Sequence, residues 1–184
     1  MIGVLVSGTG TNLQALLDAG LPVSAVASNT AGVQALERAE RASVPAAAFP
    51  LEHFAGRVDR DDAMAEWLAD HGVELVVCAG YMQLLTPGFL ARFPCINVHP
   101  SLLPAFPGLD AVGQALVAGA KETGVTVHFL DEGVDTGSVI AQERVAIEPS
   151  DTAETLYARI REIEHRLLPD AVRLYLAGAI VSPP

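Results

Sequence analysis

The 184-residue sequence has little cysteine, little positive charge and no long apolar runs, and each shortage excludes a class of protein. Its two cysteines, Cys78 and Cys95, each lie inside an apolar run, where we expect a buried reduced thiol and not a disulfide or a metal ligand. The longest apolar runs are too short to span a bilayer. Neither a disulfide-stabilised fold nor a membrane-spanning protein is therefore expected.

The shortage of positive charge restricts the possible partners. Eleven Lys and Arg residues stand against 22 Asp and Glu residues, which gives a formal net charge of −11 at pH 7. A field of that sign repels polyanions, so nucleic acids and acidic membranes are not expected partners. The N-terminal apolar run has no basic segment before it and breaks at Ser7-Gly8, so we predict no secretory signal and expect the cytoplasm.

The remaining composition, 51% hydrophobic and 18% charged, is typical of a folded globular protein, and the length suits one domain, predicted over residues 1–184. Short apolar runs alternate with segments of helical periodicity. This alternation predicts an α/β fold, a three-layer domain with a mainly parallel central sheet that is Rossmann-like in its first half. Strands are predicted at residues 1–6, 22–28, 46–49, 74–79, 125–130 and 139–145, with a further strand-like run that ends at Asn97 and His99. Helices are predicted at 12–19, 33–42, 59–71, 111–118 and 152–177, the last with Ser150 or Asp151 as N-cap.

A glycine-rich turn of sequence Ser-Gly-Thr-Gly-Thr-Asn-Leu, residues 7–13, joins the first predicted strand to the first predicted helix. Backbone N–H groups in this setting bind a phosphate together with the helix N-terminus. Leu13 replaces the third glycine of the dinucleotide fingerprint, and Ser28-Asn29 ends the second strand without the acid that NAD binding favours. The turn therefore predicts a mononucleotide-type phosphate site, with a tight turn that binds nothing as the alternative.

The segment Ile96-Asn97-Val98-His99-Pro100 ends an apolar, strand-like run with two polar side chains. One residue separates Asn97 from His99, so on an extended backbone both point to the same face. Pro100 cannot continue a strand ladder, and the chain must turn just after the pair. Because ligands of α/β proteins bind at such strand ends, an amide donor and an imidazole are predicted to enter one site.

An acid-rich, glycine-rich turn over residues 131–137 follows between two predicted strands and offers a carboxylate partner for His99. A carboxylate beside an imidazole favours the charged ring, which can donate a proton near neutral pH. With the Asn97 amide this makes two donors for one oxyanion, which suits acyl-type transfer through a tetrahedral intermediate. Direct attack by a substrate amine is the simpler route, and Cys95 is the alternative nucleophile.

Two other polar segments carry weaker predictions. His128 shares one face of a predicted strand with Thr126, and a hydrogen bond to the site and a plain sheet histidine both remain open, so it receives no catalytic role. The charge-rich residues 57–62 predict a solvated helix start. In so acidic a chain Arg57 is nevertheless one of few cations free to meet an anionic ligand.

These motifs resemble the phosphoribosylglycinamide formyltransferases of purine biosynthesis. The resemblance rests on the Ser-Gly-x-Gly-x-Asn-Leu loop, on Ala79-Gly80-Tyr81-Met82, on Asn-x-His-Pro-Ser-Leu-Leu-Pro from Asn97, and on Asp135-x-Gly137. The segment from Asn97 is shared by the wider folate-dependent formyltransferases, whereas the N-terminal loop selects the glycinamide ribonucleotide enzymes. The order of the motifs is the family's order, so the resemblance implies the formyltransferase fold.

The resemblance implies transfer of the formyl group of 10-formyltetrahydrofolate to the amine of glycinamide ribonucleotide, with no metal. In that family the counterparts of Asn97 and His99 stabilise the oxyanion, and the counterpart of Asp135 sustains the charged histidine. The implied ribonucleotide contacts are Gly10, Thr11, Asn12, Gly80, Arg161, Glu162, Ile163 and Glu164, the last on the ribose. The implied folate contacts are Arg57, Met82, Gln83, Leu84, Leu85, Asn97, Asp131, Glu132, Gly133, Val134 and Asp135.

The same resemblance divides the predicted domain into a nucleotide-phosphate half, residues 1–98, and a folate and catalytic-loop half, residues 99–184. Gln83 stands where relatives often carry an arginine, which puts folate affinity and the preferred polyglutamate tail in question. The closest rival functions are a formyltetrahydrofolate hydrolase and a formyltransferase for another amine. A nucleotide-binding regulatory module and a dinucleotide oxidoreductase are more distant, and the oligomeric state is open.

Overall fold

The computed structural model describes residues 1–182. Its strands are β1 Ile2–Val6, β2 Val23–Ser28, β3 Ala46–Ala48, β4 Leu75–Cys78, β5 Cys95–His99, β6 Glu122–Phe129 and β7 Val139–Ala146. Its helices are α1 Thr11–Asp18, α2 Gln34–Arg41, α3 Arg57–Asp70, α4 Pro87–Arg92, α5 Ala111–Val117 and α6 Ala153–Leu176, with a 3₁₀ turn at Leu51–His53. The predicted α/β class is confirmed.

The seven strands are hydrogen-bonded in the order β3-β2-β1-β4-β5-β6-β7. β1 pairs in parallel with both β2 and β4, and β2 pairs in parallel with β3, whereas β6 and β7 are antiparallel. The sheet is thus mainly parallel, as predicted. Because β1, β2 and β4 run the same way, their carboxyl ends meet at one edge, where this class of sheet binds its ligands.

The chain forms two compact units, one of Met1–Ile96 and one that begins at Asn97. In the first unit all five residues of β1 are buried, which requires apolar cover on both faces of the strand. The side chain of Leu68 on α3 supplies part of that cover, since a Cβ atom at Gly3 would lie 2.9 Å from it. Close packing of α3 on β1 therefore depends on the missing side chain of Gly3.

The second unit is built around the β6–β7 hairpin and the 24-residue helix α6. Every residue of β6 after Glu122 is buried, whereas β7 alternates and leaves Val139 half exposed, as an outer strand does. The N-cap of α6 is Thr152, because Thr152 and Thr155 satisfy each other's backbone N–H groups. The prediction of Ser150 or Asp151 as N-cap is wrong: Asp151 accepts from the Glu148 N–H and pairs with Arg159 instead.

Two further sequence predictions need correction. Helix α4 was not predicted, although Thr86 at its N-cap followed by Pro87 is a usual start signal. Residues 57–62 are not a solvated helix start throughout, because α3 has Arg60 and Asp61 on its buried face. These two side chains are 1% and 0% exposed, and the Arg60 Nη2 lies 2.7 Å from the Asp61 Oδ1. Pairing within the helix thus permits two charges in the core.

Candidate active site

The second unit brings three polar side chains, those of Asn97, His99 and His128, together around Asp135. Its Oδ2 lies 3.4 Å from His99 Nδ1, and its Oδ1 lies 3.6 Å from His128 Nε2. The Nδ2 atom of Asn97 lies 3.1 Å from the same His128 Nε2. His99 is 5% exposed, His128 is fully buried and the Asp135 side chain is 12% exposed. A carboxylate, two imidazoles and an amide therefore form one nearly dry cluster.

His128, to which the sequence analysis assigned no catalytic role, lies next to both Asn97 and the Asp135 carboxylate. Its Nδ1 lies 2.9 Å from the Phe129 carbonyl oxygen, so Nδ1 carries the proton. Burial lowers the pKa of His128, an effect that the Phe129 carbonyl and the Asp135 charge only partly offset. The ring is then neutral near pH 7, and its Nε2 lone pair accepts a hydrogen bond from the Asn97 amide. This contact fixes which way the Asn97 amide points and leaves its second N–H available.

His99 has an oxygen on each side of its ring. Nε2 lies 2.9 Å from the carbonyl oxygen of Phe106, and Nδ1 faces Asp135. An imidazolium satisfies both oxygens at once, because each ring nitrogen then carries a proton. The loop after His99 is held from β6, since Thr126 Oγ1 donates to the Ser101 carbonyl at 2.7 Å and accepts from the Leu103 N–H at 3.1 Å.

The turn that carries Asp135 is shaped by its backbone. Asp135 has φ of 54°, in the left-handed region that Asp and Asn tolerate better than other non-glycine residues. Its Oδ2 also accepts from the Gly108 N–H at 2.7 Å, which ties it to the loop after His99. At Gly137 a Cβ atom would lie 1.8 Å from the Phe129 carbonyl oxygen, so a larger residue is excluded there. The Asp-x-Gly spacing thus has a steric reason.

The glycine loop of the first unit forms as predicted between β1 and α1. Gly10 is the N-cap residue of α1 and has φ of 72°. A Cβ atom at Gly10 would lie 2.6 Å from the Ala35 Cβ and 2.8 Å from its Cα, so α2 packs directly on the loop. The Ala35 N–H donates to the Gly8 carbonyl, and Arg38 Nε donates to the Thr9 carbonyl at 2.8 Å. Both carbonyl groups are thereby engaged by α2.

The predicted folate segment of the first unit follows β4 and is exposed at its centre. Gly80 has φ of 77°, and Met82 and Leu84 are 60% and 54% exposed. Gln83 between them is also exposed, and Leu85 is half-buried. Arg57, the first residue of α3, is exposed as well. Two exposed apolar side chains on one short segment offer a surface for a flat, mainly apolar ligand.

The remaining predicted contacts lie in the second unit. On α6, Glu164 is 2% exposed, and the guanidinium of Arg161 lies 5.0 Å from the centre of the Tyr157 ring. Glu162 is exposed and Ile163 is half-buried. In the 131–137 turn, Asp131 Oδ1 accepts from the Gly133 N–H and the Thr136 hydroxyl, while Glu132 and Val134 are exposed. These positions stay predicted ligand contacts.

Comparison with known proteins gives the family. The profile described as Formyl transferase matches residues 1–172. The chain belongs to the formyl transferase family. It is 41% identical over 187 residues to a phosphoribosylglycinamide formyltransferase of Haemophilus influenzae, covering 97% of this chain and 88% of that protein. A trifunctional purine biosynthetic protein of Chironomus tentans is 43% identical over 189 residues, but this chain spans only 14% of that protein's length.

The formyl transferase fold is also shared with solved structures. The crystal structure of glycinamide ribonucleotide transformylase 1 from Symbiobacterium toebii superposes with a TM-score of 0.96 at 47% sequence identity, over 99% of this chain and 90% of that one. The formyltransferase fold expected from the resemblance is thus confirmed. The matched region includes the glycine loop, the Asn97 strand and the Asp135 turn.

The two thiols of this formyl transferase are buried. Burial raises the pKa of Cys78 to about 12 and raises the pKa of Cys95 well above its ordinary value. Cys95 shares a strand face with Asn97 and His99, but its thiol donates to the Phe93 carbonyl at 3.4 Å. A thiolate at Cys95 is strongly disfavoured near neutral pH, which argues against the cysteine nucleophile and for direct amine attack.

Within residues 1–182, no group of three or more His, Cys, Asp and Glu side chains is arranged to hold a metal ion. Of the helices formed by these same residues, none combines the length and the apolar character that crossing a bilayer requires.

Proposed function

We propose that this formyl transferase transfers the formyl group of 10-formyltetrahydrofolate to the amine of glycinamide ribonucleotide, a step of purine biosynthesis. The observation that carries the proposal is the cluster of Asn97, His99, His128 and Asp135, which presents an amide and an imidazole for a developing oxyanion. The names of relatives 41–47% identical over nearly the whole chain support the same substrates. A catalytic cluster of this kind has no use in a regulatory module.

The proposed reaction begins when the amine nitrogen attacks the formyl carbon and the carbonyl electron pair moves to oxygen. The second N–H of Asn97 and a protonated ring nitrogen of His99 stabilise this oxyanion. The longer His99 contact, Nδ1 to Asp135 at 3.4 Å, is the one that a substrate oxygen or a bridging water replaces. The bond to N10 of the folate then breaks, N10 gains a proton and the amine loses one, so atoms and charge balance.

The proposed binding roles follow the predicted contacts. Gly10, Thr11 and Asn12 hold the phosphate at the N-terminus of α1, where the first N–H groups of a helix have no partner within the helix. Gly80 and the segment 161–164 complete the ribonucleotide contacts. The exposed segment 82–85, Arg57 and the 131–135 turn bind the folate.

The proposed setting is a cytoplasmic protein that acts on small molecules, with no nucleic-acid or membrane partner. The formal net charge of −11 supports this, because it disfavours both polyanionic partners. We also propose that residues 1–184 act as one domain, with the phosphate site in residues 1–98 and the catalytic loops in residues 99–184.

The test is formyl transfer measured with and without the acceptor. We expect 10-formyltetrahydrofolate to be converted to tetrahydrofolate only when glycinamide ribonucleotide is present, with one formylated ribonucleotide formed for each folate consumed. Equal deformylation rates in both reactions would indicate a hydrolase. A His99→Ala variant serves as the control: it should still bind the ribonucleotide while transfer falls about 10²–10⁴-fold, because the acid and one oxyanion donor are lost.

A further inference from the structure

We propose that the Ser7 hydroxyl couples the ribonucleotide site to the folate site. Ser7 opens the glycine loop, and its Oγ accepts a hydrogen bond from the Met82 N–H at 2.8 Å. Met82 belongs to the segment that is proposed to bind the folate. One hydroxyl thus joins the two proposed substrate sites, and the inference rests on the proposed function of both.

The strand order explains why Ser7 reaches both neighbours. β1 lies between β2 and β4, and all three strands are parallel. Ser7 follows β1, Asn29 follows β2, and Met82 lies four residues beyond the end of β4. Residues that follow adjacent parallel strands emerge at one edge of the sheet. A side chain after the central strand is therefore placed to bond with the chain on either side.

Both hydrogen-bonding functions of this hydroxyl are used. Ser7 Oγ donates its one proton to Asn29 Oδ1 at 2.5 Å, so its lone pairs face the Met82 N–H. The side-chain oxygen of Asn29 thereby fixes the direction of the Ser7 hydroxyl proton. Ser7 and Asn29 are both half-buried, where a hydrogen bond competes less with water than on an open surface.

The segment beyond Met82 is held at its other end by a buried charge. The Thr86 N–H donates to the Asp61 Oδ2 at 2.8 Å, and Asp61 is itself paired with Arg60. Residues 83–85 therefore lie between two hydrogen-bonded ends, Met82 and Thr86. Only the Met82 end is bonded to the glycine loop. A change in the loop can reach the proposed folate contacts through Ser7, whereas the Asp61 contact stays in place.

The two sites of such an arrangement influence each other equally. If the ribonucleotide orders the loop with Ser7 bonded to Met82, it pre-orders the segment that the folate needs. By linkage, folate binding must strengthen ribonucleotide binding by the same factor. One hydrogen bond of ordinary net strength corresponds to a coupling of about two- to tenfold in affinity.

The experiment measures this coupling by calorimetry on the full chain. The affinity for glycinamide ribonucleotide is determined with and without saturating tetrahydrofolate, which lacks the formyl group and cannot react. We expect tetrahydrofolate to tighten ribonucleotide binding about two- to tenfold in the unaltered protein, and Ser7→Ala to reduce this factor to near one. Ser7→Thr keeps a hydroxyl at the position and should retain the coupling.

Ser24→Ala is the matched control, because it removes another half-buried serine hydroxyl, which donates to the Ile2 carbonyl oxygen at 3.5 Å and belongs to neither proposed site. It should keep the full coupling factor. Equal coupling in Ser7→Ala and the unaltered protein would overturn the inference, as would independent binding of the two ligands in the unaltered protein. Failure of the unaltered protein to bind the ribonucleotide at all would instead contradict the proposed function.

Discussion

The catalytic cluster and the glycine loop achieve their shapes by different means. In the cluster, Asp135 faces two imidazoles, and one of them, His128, accepts a hydrogen bond from the Asn97 side chain. In the loop, the shape depends on backbone groups and on the absence of a side chain at Gly10, against which Ala35 packs. The arrangement of the cluster therefore depends on polar side-chain contacts, and the shape of the loop depends on close packing.

This difference predicts two kinds of sensitivity. A change in the cluster that preserves shape but alters charge should affect turnover far more than stability or binding. A change in the loop that adds one methyl group at Gly10 should affect folding and phosphate binding together, although it alters no charge. The following variants test that contrast.

The largest effect is expected from Asp135→Asn. Asparagine tolerates the left-handed φ of 54° at this position, so the turn should persist, but the negative charge beside His99 is lost. We expect kcat to fall about 10²–10⁴-fold with little change in the KM for either substrate. Steady-state kinetics and a thermal unfolding scan check this. A large fall in the unfolding temperature together with the loss of kcat would show that Asp135 acts mainly by stabilising the fold.

A smaller effect is expected from Gly10→Ala. The added Cβ atom meets Ala35 at 2.6 Å, and φ is 72°, so both overpacking and backbone strain arise. We expect the free energy of unfolding to fall by about 1–3 kcal/mol and ribonucleotide affinity to fall with it. Chemical denaturation and ligand titration measure the two. Gly8→Ala is the matched stability control, because a Cβ atom there meets nothing within 4 Å. Equal stabilities of the two variants would refute the packing argument.

The smallest effect concerns pH. Burial lowers the pKa of His128 in the folded protein below the ordinary 6.5, so in the window below 6.5 the unfolded chain binds more protons than the folded one. This contribution to stability is complete above pH 6.5 and is lost as the pH falls. We expect His128→Gln to flatten the fall in unfolding free energy between about pH 7 and pH 5. A slope that stays unchanged in His128→Gln would contradict the prediction.

Much of the fold and part of the site followed from local patterns. The strand that ends at His99, the glycine turn before α1 and the mainly parallel sheet were predicted because burial, turn chemistry and helical spacing are local properties. The predicted N-cap of α6 was wrong because several neighbouring residues, Thr152 among them, can cap the same backbone N–H groups, and the sequence does not show which one does. The buried Arg60–Asp61 pair was missed because a run of charges does not reveal which face of its helix is covered.

The sequence by itself determined the residue types of the chemistry and the backbone that presents them: Asn97 and His99 share a strand face because strand side chains alternate, and Pro100 ends that strand. Only the tertiary structure decided which distant groups complete the site. His128 joins Asn97 across 31 residues, and Ser7 joins Met82 across 75, because the order of the strands in the sheet brings these distant segments side by side. Local sequence patterns do not show which residues so far apart in the chain will meet, since these contacts form only when the strands assemble into a sheet.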